Sequence, residues 1–268
     1  MQHIMGSYMD ILRLHGEQKE LYEYSLDNAL ALAEGIISLV VVLQEPCNIA
    51  DTVPYDVMVH GNASASSWGP ERVGSATLQE IDSLAEKSSN GKYGLDDLSI
   101  FDLNTLLSQD LQDESDDIDA DLDEAHSVFW NMILAKKPKA ILVLTTSAGL
   151  SNHGPVTNLG SSLRRAGSTR FLTLWTKDGP HRSLIIYGFH PSVYLREDYV
   201  SSREWSSEEV RLANEVLHVC FAKAFEASCN LSRKCDRDDK IIRRWQKLQR
   251  PGNSLDAQAA LARLTLGL

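Results

Sequence analysis

Residues 183–192 read Ser-Leu-Ile-Ile-Tyr-Gly-Phe-His-Pro-Ser, and this stretch decides the fold that the sequence predicts. Its first half, residues 183–187, is a β-branched and aromatic run, which indicates a buried strand. Gly188 and Pro191 end that strand abruptly. We therefore expect His190 at the carboxyl end of a strand, where open α/β sheets bind their ligands.

Two other predicted strands are also followed by polar residues. The apolar run Leu39–Leu43 precedes Gln44-Glu45-Pro46-Cys47-Asn48, and the run Leu98–Phe101 precedes Asp102-Leu103-Asn104. In a parallel sheet these ends share one edge, which is where ligands bind. A carboxylate, an amide and an imidazole at three strand ends suggest a single site.

The remaining pattern alternates strands with helices. Apolar and β-branched runs predict strands, and apolar residues at helical spacing predict helices. Strands are expected at 37–43, 98–103, 140–144, 171–175 and 183–187, with helices at 8–33, 77–87, 122–135, 155–166, 206–226, 238–248 and 254–268. This order predicts an α/β/α sandwich around a mostly parallel sheet.

Three regions are expected along the chain. They are a helical extension over residues 1–35, an α/β/α domain over 36–230 with an acidic insertion at 108–124, and a helical tail over 231–268. Ser206 and Glu209 form a predicted capping box for the helix at 206–226. The segment Lys177-Asp178-Gly179-Pro180 predicts the turn of a hairpin.

Composition narrows the classes of protein. The chain has 268 residues, of which 43% are hydrophobic, and no apolar run approaches membrane-spanning length. The polar N-terminus is not typical of a secretory signal. Four cysteines without a Cys-x-x-Cys pair suit a reducing compartment. We expect an intracellular monomer, nuclear or cytoplasmic, without a membrane partner.

Charge is unevenly distributed along the chain. The net charge is −11, and residues 110–124 hold nine acids and no base. Such a run is usually solvated or disordered. The alternative is an acidic segment that occupies a basic groove and competes with nucleic acid. Residues 233–250 contain eight Lys and Arg side chains interrupted by aspartates, which predicts a salt-bridged helix face rather than a phosphate track.

Taken in order, these segments resemble the uracil-DNA glycosylase superfamily over about residues 37–226. Residues 44–48 resemble the family's water-activating motif GQDPYH, and residues 100–107 resemble the segment LLLNTVLT, which carries the base-reading asparagine. Residues 188–192 resemble the motif HPSPLS. The resemblance implies a three-layer α/β/α sandwich with a central, mostly parallel four-stranded sheet. It also implies removal of uracil or a related base from single- or double-stranded DNA, as in base excision repair.

The resemblance also implies roles for individual residues in this chemistry. Glu45 would orient water and counter the positive charge that develops on the sugar. His190 would donate a hydrogen bond to the oxygen of the departing base, where negative charge develops. Asn104 would read the Watson–Crick edge of a flipped base, because an amide supplies both a donor and an acceptor.

Further positions complete the implied site. The base-binding residues would also include Gln44, Cys47 and Asn48. Pro191 and Ser192 would contact the DNA backbone. The wedge that fills the gap left by the flipped base would be Tyr194 or Leu195, since apolar side chains take this role elsewhere.

The sequence departs from the family pattern at several positions. Leu43 stands where the family has Gly, Cys47 where it has the Tyr that excludes thymine, and Asn48 where it has His. Loss of that Tyr would loosen the rejection of a 5-methyl group. Residues 61–67 resemble the segment that holds the base-stacking Phe, and they contain no aromatic residue; Trp68 or Tyr55 are the candidate substitutes.

Each candidate residue also has a purely structural interpretation. His190 could be a structural hydrogen-bonding partner, Glu45 a turn cap, and Asn104 a turn residue. Tyr194 and Leu195 could be ordinary buried residues.

Two other functions remain open alongside the glycosylase. One is a non-catalytic member of the fold that binds nucleic acid or a protein, and the other is a hydrolase of free nucleosides. Cys220, Cys229 and Cys235 with His218 fit the spacing of neither a zinc site nor an iron–sulfur cluster, so we expect no metal and no cofactor.

Overall fold

The computed structural model describes residues 7–19, 25–44, 46, 53–61, 74–145, 163–231 and 236–249. Glu45, Cys47, Asn48 and Trp68 lie outside these residues, as do the predicted helix at 254–268 and most of the one at 155–166.

A five-stranded, mostly parallel sheet forms the centre of the molecule. The strands are β1 (Leu39–Leu43), β2 (Ser99–Asp102), β3 (Ala140–Val143), β4 (Thr169–Thr176) and β5 (Gly179–Tyr187), in the order β2-β1-β3-β5-β4. The neighbouring pairs among β2, β1, β3 and β5 are parallel, and β4 pairs antiparallel with β5.

The prediction of a four-stranded sheet is wrong, because the hairpin adds β4 as a fifth strand at one edge. Its register runs from Thr169 opposite Ile186 to Thr176 opposite Gly179. The turn itself is confirmed at Lys177 and Asp178, and Gly179 follows it with a φ of 108°. This positive φ favours glycine over residues with a Cβ atom.

Helices cover both faces of the sheet. They are α1 (Tyr8–Gln18), α2 (Ser25–Ala33), α3 (Tyr55–His60), α4 (Ala76–Ser89), α5 (Gln109–Glu114), α6 (Ile118–Lys136), α7 (Ser192–Leu195), α8 (Glu197–Ser202), α9 (Ser207–Cys229) and α10 (Asp236–Leu248). Successive side chains of a strand point to opposite faces. Leu39 and Val41 thus join a core with α4, α9 and α10, whereas Val40 and Val42 join a core with α1 and α6.

The predicted N-terminal helix is interrupted, and the chain forms α1 and α2 instead. Gly16 near the end of α1 lies so close to Leu26 of α2 that an added Cβ would be 2.4 Å from a Leu26 methyl group. This close approach brings the two helices together. Both contribute to the core that covers one sheet face, through Leu12 and Ala33.

The acidic segment is helical rather than disordered, and most of its acidic side chains are solvated as expected. It comprises α5 and the first turns of α6. The Ser108 hydroxyl accepts from the backbone N–H of Leu111, and the Asp117 carboxylate accepts from that of Ala120 at 3.2 Å. These caps satisfy N–H groups at the helix ends, where the helix dipole also favours negative side chains.

Candidate functional site

Backbone hydrogen bonds align the carboxyl ends of the strands. The N–H of Asn104 donates to the carbonyl of Gln44 at 2.8 Å, so the segments after β1 and β2 lie side by side. On the other side of β1, the N–H of Leu144 donates to Val42 at 2.8 Å, and that of Gly188 donates to Val143 at 2.9 Å. The predicted placement of Gln44, Asn104 and His190 along one sheet edge is therefore observed.

The imidazole of His190 is held through its Nδ1 atom. The backbone N–H of Ser192 donates to Nδ1 at 3.2 Å, and the Ser192 hydroxyl lies 2.7 Å from the same atom. Since a backbone N–H can only donate, Nδ1 is the acceptor, and a neutral ring carries its proton on Nε2. His190 is thus set up as an Nε2–H donor.

The charge state of His190 agrees with this tautomer. Burial, and to a smaller extent the positive charge of Arg196, lowers the pKa of His190 to about 4. At neutral pH the ring is therefore uncharged. A neutral imidazole of this kind donates a hydrogen bond to a developing oxyanion and keeps its proton.

Asn104 is buried and held by a histidine of α6. Its Oδ1 atom lies 3.1 Å from Nε2 of His126, whose side chain is also buried. An amide oxygen only accepts, so Nε2 of His126 carries the proton in this bond. The contact fixes the orientation of the Asn104 amide.

The loop after β2 is tightly turned around Asn104. The hydroxyl of Thr105 donates to the carbonyl of Asp102 at 2.9 Å, and the N–H of Leu107 donates to the carbonyl of Asn104 at 3.0 Å. Leu106 has a φ of 57°, in the left-handed region that non-glycine residues rarely adopt. Such backbone strain persists only where surrounding contacts hold it.

The candidate site spans three strand spacings. Asn104 follows β2 and His190 follows β5, with β1 and β3 between them. Neighbouring strands are about 4.8 Å apart, so the two strand ends are about 14 Å apart.

Ser192 and Tyr194 do not have the surroundings that the resemblance implies for them, and Tyr194 fits the alternative of an ordinary buried residue. Ser192 is buried with its hydroxyl on His190, and it positions the imidazole rather than facing a phosphate. Tyr194 is buried, and its hydroxyl donates to Oε1 of Glu80 at 2.8 Å. Asn214 donates to the same Glu80 oxygen at 2.6 Å. Entering a base stack would break this network, so Leu195, which is partly exposed, is the better wedge candidate.

The structure also describes three further candidate residues, Gln44, Pro191 and Tyr55. Gln44 is partly buried and Pro191 is buried at the same sheet edge. Tyr55, a candidate for base stacking, is partly buried and donates its hydroxyl to Asp96 at 3.0 Å. Burial and this contact raise the pKa of the Tyr55 hydroxyl, which keeps it protonated as the donor.

Sequence reasoning missed His126 and Glu80. His126 lies in the apolar stripe of α6 with Phe129, Trp130 and Ile133. A polar residue inside such a stripe is the available signal, because buried polar groups need partners. Glu80 has no comparable signal, since its partner Tyr194 is 114 residues away.

A small cavity of about 120 Å³ lies beside the Asn104 loop. Among its lining residues are Thr105, His15 and Lys19. Lys19, the residue that follows α1, donates to Asp121 at 3.2 Å and to Glu124 at 2.7 Å, so it neutralises part of the acidic segment. The hydrogen bond to Glu124 raises the pKa of Lys19, and burial lowers that of His15.

Comparisons with known proteins found neither a family model nor a curated protein that matches this chain. Among the described residues, no group of three or more His, Cys, Asp or Glu side chains could hold a metal ion. In the same part of the chain, no helix is both long and apolar enough to span a bilayer.

Proposed function

We propose that this protein is a DNA N-glycosylase of the uracil-DNA glycosylase type, which hydrolyses the N-glycosidic bond of uracil or a related base. The observation that carries the proposal is the neutral His190 at the end of β5. Its Nδ1 atom is occupied by Ser192, and it shares a sheet edge with Gln44 and Asn104. We also assign the fold to the three-layer sandwich of that family, with β4 as an added edge strand.

The chemistry explains why a neutral imidazole is useful. Cleavage passes through a sugar with oxocarbenium character and a departing base anion. The negative charge of that anion develops on a carbonyl oxygen, and a preorganised donor there is worth about 10²–10³ in rate. His190 with a pKa of about 4 fits a donor that stabilises the anion without transferring its proton.

Glu45 takes the carboxylate role in this proposal. It follows Gln44 directly in the sequence, and the Gln44 carbonyl accepts the hydrogen bond from Asn104. A carboxylate in this part of the site would orient the attacking water and offset the charge on the sugar.

Asn104 is assigned to base recognition. Its Oδ1 atom accepts from His126, and a carbonyl oxygen has a second lone pair that can accept from the N3–H of uracil. Its Nδ2 atom would donate to the uracil O4 atom. Cytosine presents an acceptor and a donor at these two positions, so this arrangement favours uracil or thymine over cytosine.

Base release tests the proposal directly. Single- and double-stranded oligonucleotides with one uracil are incubated with the full chain and with His190→Ala, Asn104→Ala and Glu45→Ala. We expect His190→Ala to lower the rate about 10²–10³-fold. His60→Ala is the matched control, because His60 is exposed on α3.

If folded His190→Ala and Asn104→Ala both release uracil at the rate of the unaltered protein, the assigned site is wrong. Folding of each variant is checked by urea unfolding. Release that depends on both residues would leave only the preferred base to be determined.

A second candidate function is a nucleic-acid-binding module without turnover. The observation that favours it is that two assigned side chains already have protein partners: Asn104 is bonded to His126, and Tyr194 is bonded to Glu80. This candidate predicts DNA binding without base release. Turnover that Glu45→Ala abolishes would exclude it.

A further inference from the structure

Helix α10 presents a basic stripe to solvent. Its inner side holds Ile242 and Trp245, both buried. Spacings of three and four residues place its basic side chains together on the opposite side of the helix. All of them are exposed: Arg237, Lys240, Arg243, Arg244 and Lys247.

Contacts of Trp245 fix this helix next to the candidate site. The Trp245 ring stacks on Phe189, the residue before His190, with 5.2 Å between ring centroids. Its Nε1 atom donates to the carbonyl of Leu163 at 2.6 Å. The basic stripe is therefore held rigidly beside the end of β5.

A second contact confirms how closely α10 approaches this corner of the sheet. A Cβ added at Gly167 would lie 2.2 Å from Cδ1 of Ile242. The N–H of Gly167 donates to the carbonyl of Tyr187, the last residue of β5, at 2.7 Å. Glycine is thus required where α10 crosses the carboxyl end of that strand.

Most of the charge on the stripe is not neutralised within the described part of the chain. Arg244 pairs with Glu208 of α9, as the predicted salt-bridged face requires. No ion pair in that part of the chain involves Arg237, Lys240 or Arg243, so these three residues depart from the prediction. One exposed aspartate, Asp239, interrupts the charge pattern of the helix. The local charge is therefore positive in a protein whose net charge is −11.

We propose that the basic stripe of α10 binds the phosphate backbone of the DNA that flanks the base held at His190. From Arg237 to Lys247 the stripe rises about 15 Å, a length over which one strand of B-DNA carries about four phosphates. The site at His190 rests on the proposed function, but backbone binding itself does not require turnover.

The alternative polyanion is an acidic lipid surface. Helices that bind membranes combine a basic face with an exposed apolar face. The apolar side of α10 is instead packed against Phe189 and α9, with Trp245 fully buried. DNA is therefore the favoured partner.

Salt-dependent binding of uracil-free DNA tests this inference separately from catalysis. Affinities of the full chain for a labelled duplex are measured between 50 and 200 mM salt, about the range over which phosphate contacts dominate. The variant Arg237→Gln/Lys240→Gln/Arg243→Gln removes three cations from the stripe. A control with the same change in charge is Arg13→Gln/Lys87→Gln/Lys92→Gln, on other exposed surfaces.

We expect the slope of log affinity against log salt to fall by about 2.7 in the stripe variant, at about 0.9 per phosphate contact. The control should keep the slope of the unaltered protein. Equal slopes in both variants, or no duplex binding by the unaltered protein at 50 mM salt, would overturn the inference. If the stripe variant loses binding to phosphatidylserine vesicles while its DNA binding is unchanged, the inference is overturned in favour of a membrane.

The two proposals can fail independently. If no base is released but the slope of log affinity against log salt is smaller in the stripe variant than in the unaltered protein, the inference about α10 stands and the glycosylase is excluded. If base release occurs with an unchanged slope, the glycosylase stands and the phosphate contacts lie on another surface.

Discussion

Acid is expected to destabilise this protein through His190 in particular. In the folded protein, burial lowers the pKa of His190 to about 4, whereas an exposed histidine titrates near ~6.5. Between these values the unfolded chain binds a proton that the folded chain does not bind. The free energy of unfolding therefore falls as the pH drops through this window.

The size of the effect follows from the two pKa values. Each unit of difference corresponds to about 1.4 kcal/mol. Relative to pH 7, His190 should lower the free energy of unfolding by about 2 kcal/mol at pH 5 and about 3 kcal/mol at pH 4. For a domain of ordinary stability this is a substantial part of the total.

Urea unfolding of the unaltered protein and of His190→Gln measures this contribution. The glutamine side chain is polar and does not titrate. Both proteins are measured at pH 7, 6 and 5 at constant ionic strength. The other groups, including the buried His15, are common to both proteins, so the difference between the two pH profiles reports His190. Parallel profiles would refute the partly buried, neutral imidazole on which the site depends.

Three further changes test the packing of the fold and of the site, each by urea unfolding. Trp245→Ala should cost about 3–5 kcal/mol, because it empties a fully buried aromatic position; a cost below 1 kcal/mol would contradict the anchoring of α10. His126→Phe should cost about 1–3 kcal/mol by leaving Oδ1 of Asn104 without its donor, and an unchanged stability would disprove that bond. Gly35→Ala places a Cβ 1.9 Å from the Leu98 carbonyl carbon, so the backbone must shift; unchanged stability would show that this contact is absent.

Two elements could be predicted because a short stretch of sequence determines each of them. β1 was predictable because five consecutive apolar residues suit a strand covered on both faces. The start of α9 was predictable because Ser206 and Glu209 bond reciprocally, with 2.8 Å between the Ser206 N–H and the Glu209 carboxylate. In both cases the determining contacts lie within a few residues of each other.

The fifth strand also has a local signal, which the prediction of a four-stranded sheet left out. Alternation along residues 169–176 indicates a strand, and the turn after it indicates a hairpin. β4 enters the sheet by pairing with β5, its neighbour in that hairpin. In the structure, β4 buries Leu172 and Leu174 against the core and exposes Phe171 and Trp175.

The site was predictable in its placement and not in its hydrogen bonds. Strand ends placed Asn104 and His190 at one sheet edge. The partners that fix Asn104 and Tyr194 come from helices 22 and 114 residues away in the chain. The apolar stripe of α6 indicates that one side of this helix is buried. It does not indicate that His126, the polar residue within the stripe, contacts the segment after β2.

The distribution of charge also bears on how an acidic protein could bind DNA. The acidic segment follows β2, and two of its carboxylates pair with Lys19 of α1. The basic stripe of α10 is anchored beside the end of β5, and the ends of β2 and β5 are about 14 Å apart across the sheet. Charges in solvent are screened over about 8 Å at physiological salt, so each side acts largely on its own surroundings. On the proposed function, a DNA strand would therefore meet attraction beside His190 and repulsion beside Asn104. The two proposals together then predict a path for the backbone along α10, with only the flipped base reaching toward the acidic side.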